Sequence, residues 1–123
     1  MPINANHKEA LFMNIVTIGG ATQDVLIQCD GADVMTIAQR QGSQSFLLFE
    51  AGEKLEIDGI THLSGGGATN VAVSFKRQGF DVACICAMGT DAAGDHIVQD
   101  LASEGVITQY VKRLPDAPTG SSY

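Results

Sequence analysis

The residues best suited to chemistry in this sequence are few: Asp24, Asn70, and the run Ser64-Gly65-Gly66-Gly67-Ala68-Thr69 that leads into Asn70. A carboxylate accepts two or more hydrogen bonds, a carboxamide both donates and accepts, and consecutive glycines expose backbone N–H groups that no Cβ shields. Such a set can pair the neighbouring hydroxyls of a vicinal diol. The pairing has to be complete, because a buried polar group left without a partner costs about 1–3 kcal/mol. A glycine turn entering a helix also presents unpaired N–H groups to something polar or anionic. The same turn can serve tight packing alone, and by position alone Asp24 reads as a solvated turn carboxylate.

The elements that must position these groups follow from pattern. Asn14-Ile15-Val16-Thr17-Ile18, β-branched and stopped by Gly19-Gly20, predicts a buried first strand of a parallel sheet, with Asp24 just beyond its C-terminal end. Ala68, Val71, Ala72 and Phe75 have the spacing of one buried helix face, and Lys76, Arg77 and Gly79 mark that helix's end. The run Val82 to Met88 is apolar throughout, which predicts a strand buried on both sides. A helix is expected from about Ala92 to Glu104 with Ile97, Val98 and Leu101 inward, then a strand near Gln109 to Lys112. Between Val25 and Asp58 the pattern is least regular. Turns are expected at Asp30-Gly31 and Gln41-Gly42-Ser43, a hairpin turn at Ala51-Gly52-Glu53-Lys54, and an alternating strand over Glu53 to Asp58. Phe46-Leu47-Leu48-Phe49 is apolar on both faces of a strand, so something must cover the second face. The order β, hairpin, α, β, α, β implies an α/β fold with a parallel sheet.

Composition removes several functions. The formal charge of −7, without a basic stripe, argues against nucleic acid and against an acidic membrane surface. No apolar run approaches the roughly 20 residues of a membrane span, and Met1 to Glu9 lacks the apolar core of a signal peptide. Cys29, Cys84 and Cys86 lack metal-site spacing and read as reduced thiols of a cytoplasmic protein. His7, His62 and His96 share no motif, so no metal site is expected from them. His62 reads as a surface residue at a strand end, and Tyr123, Phe46 and Phe49 as packing residues that can also stack on a sugar face. Asp91-Ala92-Ala93-Gly94-Asp95 opens a helix and imitates an anion site, yet acidic residues favour a helix N-terminus in any case. A dinucleotide-dependent oxidoreductase would need the glycine turn directly after the first strand, where Gly19-Gly20 stands instead.

Gly65, Gly66, Ala68, Asn70, Ala72, Gly79 and Gly89, in that spacing, resemble the N-terminal signature of the ribokinase (PfkB) family of carbohydrate kinases, over roughly Asn14 to Tyr123. The resemblance implies a ribokinase-like α/β fold, a parallel sheet with flanking helices plus a small β-sheet lid, of which this chain is the N-terminal part. Residues 1–13 are then a lead-in and 14–123 part of the α/β domain, with lid segments at about 25–58 and 117–123. It implies a sugar-binding role for Asp24, Gly65, Gly66, Gly67 and Asn70, and assigns Gly89-Thr90-Asp91-Ala92-Ala93-Gly94 to a structural turn. Lids of the family often pair between subunits, so a homodimer through the lid is expected. ATP, Mg and the catalytic Asp belong to the family's C-terminal half, so no catalytic, cofactor-binding or metal residue is expected in this chain, and the chain alone should be inactive. Several sugar kinases of the family carry Lys where this sequence has Gly67, which disfavours a phosphorylated substrate. Adenosine kinases also lack that Lys, so a nucleoside kinase stands as the alternative, beside a non-catalytic sugar-binding or lid-dimerisation fragment.

Overall fold

The computed structural model describes residues 14–123, so the lead-in expected over residues 1–13, and His7 within it, lie outside it. In chain order the elements are β1 (Asn14–Ile18), β2 (Thr22–Gln28), β3 (Asp33–Gln39), β4 (Gly42–Leu48), β5 (Gly59–Gly65), α1 (Gly67–Arg77), β6 (Asp81–Ile85), β7 (Ala87–Gly89), α2 (Ala92–Ser103), β8 (Lys112–Leu114) and β9 (Gly120–Ser122). They form two compact units, one of residues 14–24 with Ser64–Ser122 and one of Val25–Leu63 with Tyr123.

In the first unit β1 and β6 pair in parallel from Asn14↔Asp81 to Ile18↔Ile85, as their β-branched and apolar runs require. The core joins Ala21, Ala68, Ala72, Val82, Cys84, Cys86, Met88, Ile97, Leu101 and Val106, with Phe75 and Phe80 packed beside it edge to face. Helix α1 packs on β1 and β6. Its buried stripe is Ala68, Thr69 and Ala72, whereas Val71, expected inward, is 45% exposed. The stripe is shifted because the glycine turn brings the helix start against the β1–β2 loop, where only small side chains fit. Gln78 is the C-cap and Gly79 follows at φ +96°, the left-handed ending expected there.

The single strand expected over Val82–Met88 is two strands, because the chain changes partner at Cys86. β6 lies on β1, while β7 pairs in parallel with β8, and the Cys86 carbonyl accepts from Lys112 N–H at 2.8 Å. The strand expected near Gln109 to Lys112 is likewise displaced: Ile107 bridges to Ala83, and β8 begins only at Lys112. β1 is buried on one face only, with Val16 and Ile18 exposed, whereas β6 is buried on both faces at its centre, Val82, Ala83 and Cys84, and exposed at Ile85. Cys84 and Cys86 do share one buried face, with Sγ atoms 3.8 Å apart. Burial, reinforced by Cys84, pushes the Cys86 thiol up to about 12, so it stays protonated at neutral pH.

In the second unit the hairpin is β3–β4, antiparallel from Asp33↔Leu48 to Gln39↔Gly42, closed by a turn at Arg40-Gln41; Gly42 and Ser43, expected in the turn, already pair as strand. The turn at Ala51-Gly52 is present, with Glu53 N–H donating to Glu50 O at 3.2 Å, but it joins no paired strands. Glu53 to Asp58 is not a strand; pairing resumes at Gly59. Alternation there was not sufficient: the segment forms no ladder, and its last residue, Asp58, donates its N–H to Gln28 O at 2.9 Å. Every residue of β3 and β4 is exposed.

Helix α2 is capped by Asp91, whose Oδ1 accepts from Gly94 N–H at 2.9 Å, and it ends before Gly105 at φ +80°. Asp91 also accepts from the Thr119 hydroxyl at 2.6 Å and the Thr119 N–H at 2.8 Å. These bonds, the Thr119 hydroxyl first, hold its carboxyl at about 2, below the usual carboxylate value. The folded state therefore binds that proton more weakly than the unfolded chain. Its contribution to stability is complete above the ordinary carboxyl pKa of about 4 and is lost as pH falls through about 2. The stability gap between the wild type and Asp91→Asn, measured by urea denaturation, is expected to be constant from pH 7 to 5 and to narrow between pH 4 and 2. A gap independent of pH would show that the charge of Asp91 contributes nothing.

Candidate functional site

Two glycines of the run, Gly65 and Gly66, are held by contacts that leave no room for a side chain. Gly66 is the N-cap of α1 at φ +106°, a conformation strained for any L side chain. A Cβ there would also strike the Gly20 carbonyl and approach Ala21 Cα to 2.7 Å. The reason is the close seating of the helix start: Ala68 N–H donates to Gly20 O at 3.2 Å, and Gly19 N–H donates to Ile85 O at 3.2 Å. No side chain caps α1. Thr69, 2% exposed, points its hydroxyl back at the turn, 2.6 Å from Gly65 O and 2.9 Å from Gly66 O. That pins the turn from within the helix's first coil.

Asp24 lies on β2, not in a loop after the first strand as the sequence pattern predicted; the chain turns at Gly19–Ala21 and immediately re-enters a strand. This strand places its carboxylate directly over Gly65. A Cβ on Gly65 would collide with Asp24 Oδ2 and come within 2.8 Å of Cγ. Asp24 and Gly65 are therefore in one place because Gly65 has no side chain. β9 runs parallel to the start of β2, Thr22↔Gly120 to Asp24↔Ser122, and Ser122 Oγ donates to Asp24 Oδ1 at 2.7 Å. One carboxylate oxygen is thus engaged, and Asp24 keeps acceptor capacity for a further hydroxyl.

Among the expected site residues, Gly65 and Asp24 meet, and Gly66 backs onto Gly20–Ala21 behind them. Gly67 is exposed, with nothing within 4 Å of the place a Cβ would take. Asn70 sits in the first turn of α1 with an exposed side chain; its N–H donates to Gly66 O at 3.0 Å, and among the described residues no hydrogen bond joins it to Asp24. Ser122 and Thr69 were missed by the sequence reading. Thr69 carried a signal, a hydroxyl one helical turn after a glycine carbonyl; Ser122 carried none, since its partner is 98 residues away. Ser64, next to the turn, donates to Asp100 Oδ2 of α2, and His96 Nδ1 lies 3.7 Å from the same oxygen. His62 is exposed on β5.

Asp91 already occupies the N-terminus of α2 with a carboxylate, which repels an anion, and Asp95 of that helix is paired with Arg113 at 2.6 Å. No group of three or more His, Cys, Asp or Glu side chains converges to hold a metal among the described residues. None of the described helices is long and apolar enough to cross a membrane.

Known proteins share this architecture. The ribokinase of Staphylococcus aureus (strain COL) is 29% identical over 75 residues, which are 60% of this chain and 25% of that protein. The fructokinase of Xylella fastidiosa superposes with a TM-score of 0.62 at 27% identity, over 90% of this chain and 28% of the other. A ribokinase of Cryptococcus neoformans solved with ADP gives 0.64 at 24% identity, over 88% and 29%. A nucleoside kinase of Methanocaldococcus jannaschii has the same fold, with a TM-score of 0.65 at 16% identity, over 88% of this chain and 31% of the other. The chain thus spans about a quarter of the ribokinase it matches in sequence and under a third of each solved relative. The fold is ribokinase-like. The family model of pfkB carbohydrate kinases matches residues 29–123, a range that takes in Gly65 to Asn70 and leaves out Asp24, and the chain belongs to that family.

Proposed function

We propose that this chain is the sugar-binding part of an ATP-dependent kinase that phosphorylates a hydroxyl of a small carbohydrate. The observation that carries this reading is the Asp24 carboxylate seated over side-chain-free Gly65, with one oxygen held by Ser122 and acceptor capacity left over. In this reading Asp24 accepts hydroxyl protons of the sugar in hydrogen bonds, Gly65, Gly66 and Gly67 bring backbone close to it, and Asn70 both donates and accepts. ATP and its magnesium ion belong to the longer cytoplasmic kinase, and this chain supplies none of their ligands. The segments 25–58 and 117–123 serve as lid. A nucleoside is the second reading, favoured by the open space beside Gly67, where a bulky substituent on the sugar could stand.

Purified residues 1–123 are expected to give only background ATP turnover with D-ribose, D-fructose or adenosine; robust turnover would place catalytic groups within this chain. In the kinase that contains it, Asp24→Ala and Asn70→Ala are expected to weaken sugar binding by about 1–3 kcal/mol each, with ATP affinity unchanged. Wild-type kinetics in both variants would move the pocket elsewhere. Adenosine bound in preference to both sugars would select the nucleoside reading.

The partner proposed for the lid is a second copy of the chain. Phe46, Leu47, Leu48 and Phe49 are all exposed, Leu47 by 64%, as are Val34, Met35 and Ile37 on the paired strand. Large apolar side chains gain about 1.5–3 kcal/mol each on full burial, which favours a symmetric contact between hairpins. Leu47→Asp with Leu48→Asp charges both faces of β4. Light scattering should show a wild-type dimer at micromolar concentration and a monomeric double variant. A monomeric wild type would end this proposal.

A further inference from the structure

The turn Gly89-Thr90-Asp91-Ala92-Ala93-Gly94 is not used by the proposed sugar site, yet its geometry exceeds what a helix cap needs. Capping α2 takes one bond, from Gly94 N–H to Asp91 Oδ1. Asp91 makes two more, both to Thr119, 28 residues further on: Oδ1 accepts from the hydroxyl and Oδ2 from the backbone N–H. The Thr119 hydroxyl in turn accepts from Gly89 N–H at 3.0 Å, so it both donates and accepts, and the residue is 6% exposed. The two glycines are required by this closeness. A Cβ on Gly89 would strike Ala117 O and come within 2.8 Å of Thr119 N, and one on Gly94 would strike Gly89 O and come within 2.9 Å of Thr119 Oγ1. Arg113 closes the knot, donating from Nε to Gly89 O at 2.9 Å and from its terminal nitrogen to Asp95 at 2.6 Å.

Thr119 is the residue immediately before β9, and β9 has only three residues, Gly120–Ser122. So short a strand has little pairing of its own to fix its register, and a slip of one residue would turn Ser122 away from Asp24. We propose that Asp91, acting through Thr119, is a positioning residue for the substrate-facing carboxylate: the brace sets the register of β9 on β2 and so keeps the Ser122 hydroxyl on Asp24. The proposal rests on the sugar-site reading only for its functional consequence; the structural link stands on the contacts above.

Three variants separate a brace from a cap. Asp91→Asn keeps an oxygen for Gly94 N–H but sets an amide donor against the Thr119 N–H. Thr119→Val removes the hydroxyl at nearly constant shape, and Thr119→Ser restores it. The first measurement is amide hydrogen exchange on the 123-residue chain. In Asp91→Asn and Thr119→Val, exchange along Thr22–Asp24 and Gly120–Ser122 should speed up by about tenfold or more relative to the β1–β6 ladder, and Thr119→Ser should return it to wild type. Equal acceleration of both ladders, or none in either, overturns the proposal. The second measurement is calorimetric titration with D-ribose and D-fructose. Asp91→Asn and Thr119→Val should lose affinity as Asp24→Ala does, with Thr119→Ser unaffected. Local exchange without loss of affinity would overturn the functional link. If the wild type binds neither sugar, the sugar reading fails, and the exchange measurement alone decides whether the brace sets β9.

Discussion

The close approach between the start of α1 and the loop after β1 is the constraint on which the first unit depends. Ala68 N–H reaches Gly20 O, and no Cβ fits at Gly66 between them. From this seating the rest follows. A helix so close to the sheet can bury only Ala68, Thr69 and Ala72 at its start, which is why Val71 is turned outward. The backbone carbonyls of the turn, lacking side-chain cover, are met by the Thr69 hydroxyl. Gly65, at the end of β5, is brought under the Asp24 carboxylate by the same turn. One arrangement serves both contacts: a larger residue at 66 would disturb the seating of the helix, and one at 65 would displace the Asp24 carboxylate.

Legibility in the sequence followed the range of the interactions. The glycine turn, both helices and their glycine endings are set by residues within one or two turns of each other, and periodicity with end signals located them. β1 and the first half of the Val82–Met88 run were equally clear, because β-branched runs stopped by glycine have few other uses. What failed were statements about partners. The break at Cys86 exists because β6 lies on β1 and β7 on β8, and nothing within Val82–Met88 records that exchange. Glu53 to Asp58 alternates as a strand should, yet has no ladder. The position of Asp24 on a second strand, instead of in a loop, depends on the pairing of β2 with β9, a chain segment nearly 100 residues later.

The candidate site divides the same way. Gly65, Gly66 and Asn70 were named by a spaced motif, and Asp24 by the family resemblance, which lent weight to a carboxylate that pattern alone would have passed over; the structure brings Asp24 and Gly65 together. Ser122 could not be found: a serine in Gly-Ser-Ser near a chain end has no local mark of a role, and only the parallel register of β9 gives it one. The apolar hairpin was legible in composition but not in arrangement. Phe46 to Phe49 showed that two faces carry large side chains, and the pairing with Asp33–Gln39 adds Met35 and Ile37 to the face of Phe46 and Leu48 and Val34 to that of Leu47.

Long-range polar contacts do in this chain what a larger core does in bigger domains. Its buried apolar residues are mostly small, with Ile97, Leu101 and Val82 the largest that are fully enclosed, and Val16, Ile18 and Ile85 remain exposed. A core of that size resists sliding weakly, since alanines and cysteines interlock less than branched side chains. Position is fixed instead by directional bonds between distant segments: Ser64 to Asp100, Arg77 to Glu104, Arg113 to Asp95, and Thr119 to Asp91. Of these, Arg77–Glu104 and Arg113–Asp95 are at the surface, where water and salt weaken an ion pair to at most about 1 kcal/mol. The Thr119–Asp91 contact differs, because a backbone N–H and the hydroxyl of a buried residue both depend on one carboxylate. Loss of a surface pair leaves two solvated charges; loss of this one leaves unsatisfied groups beside β9. The segment entering β9 is therefore held by the contact whose removal is hardest to compensate.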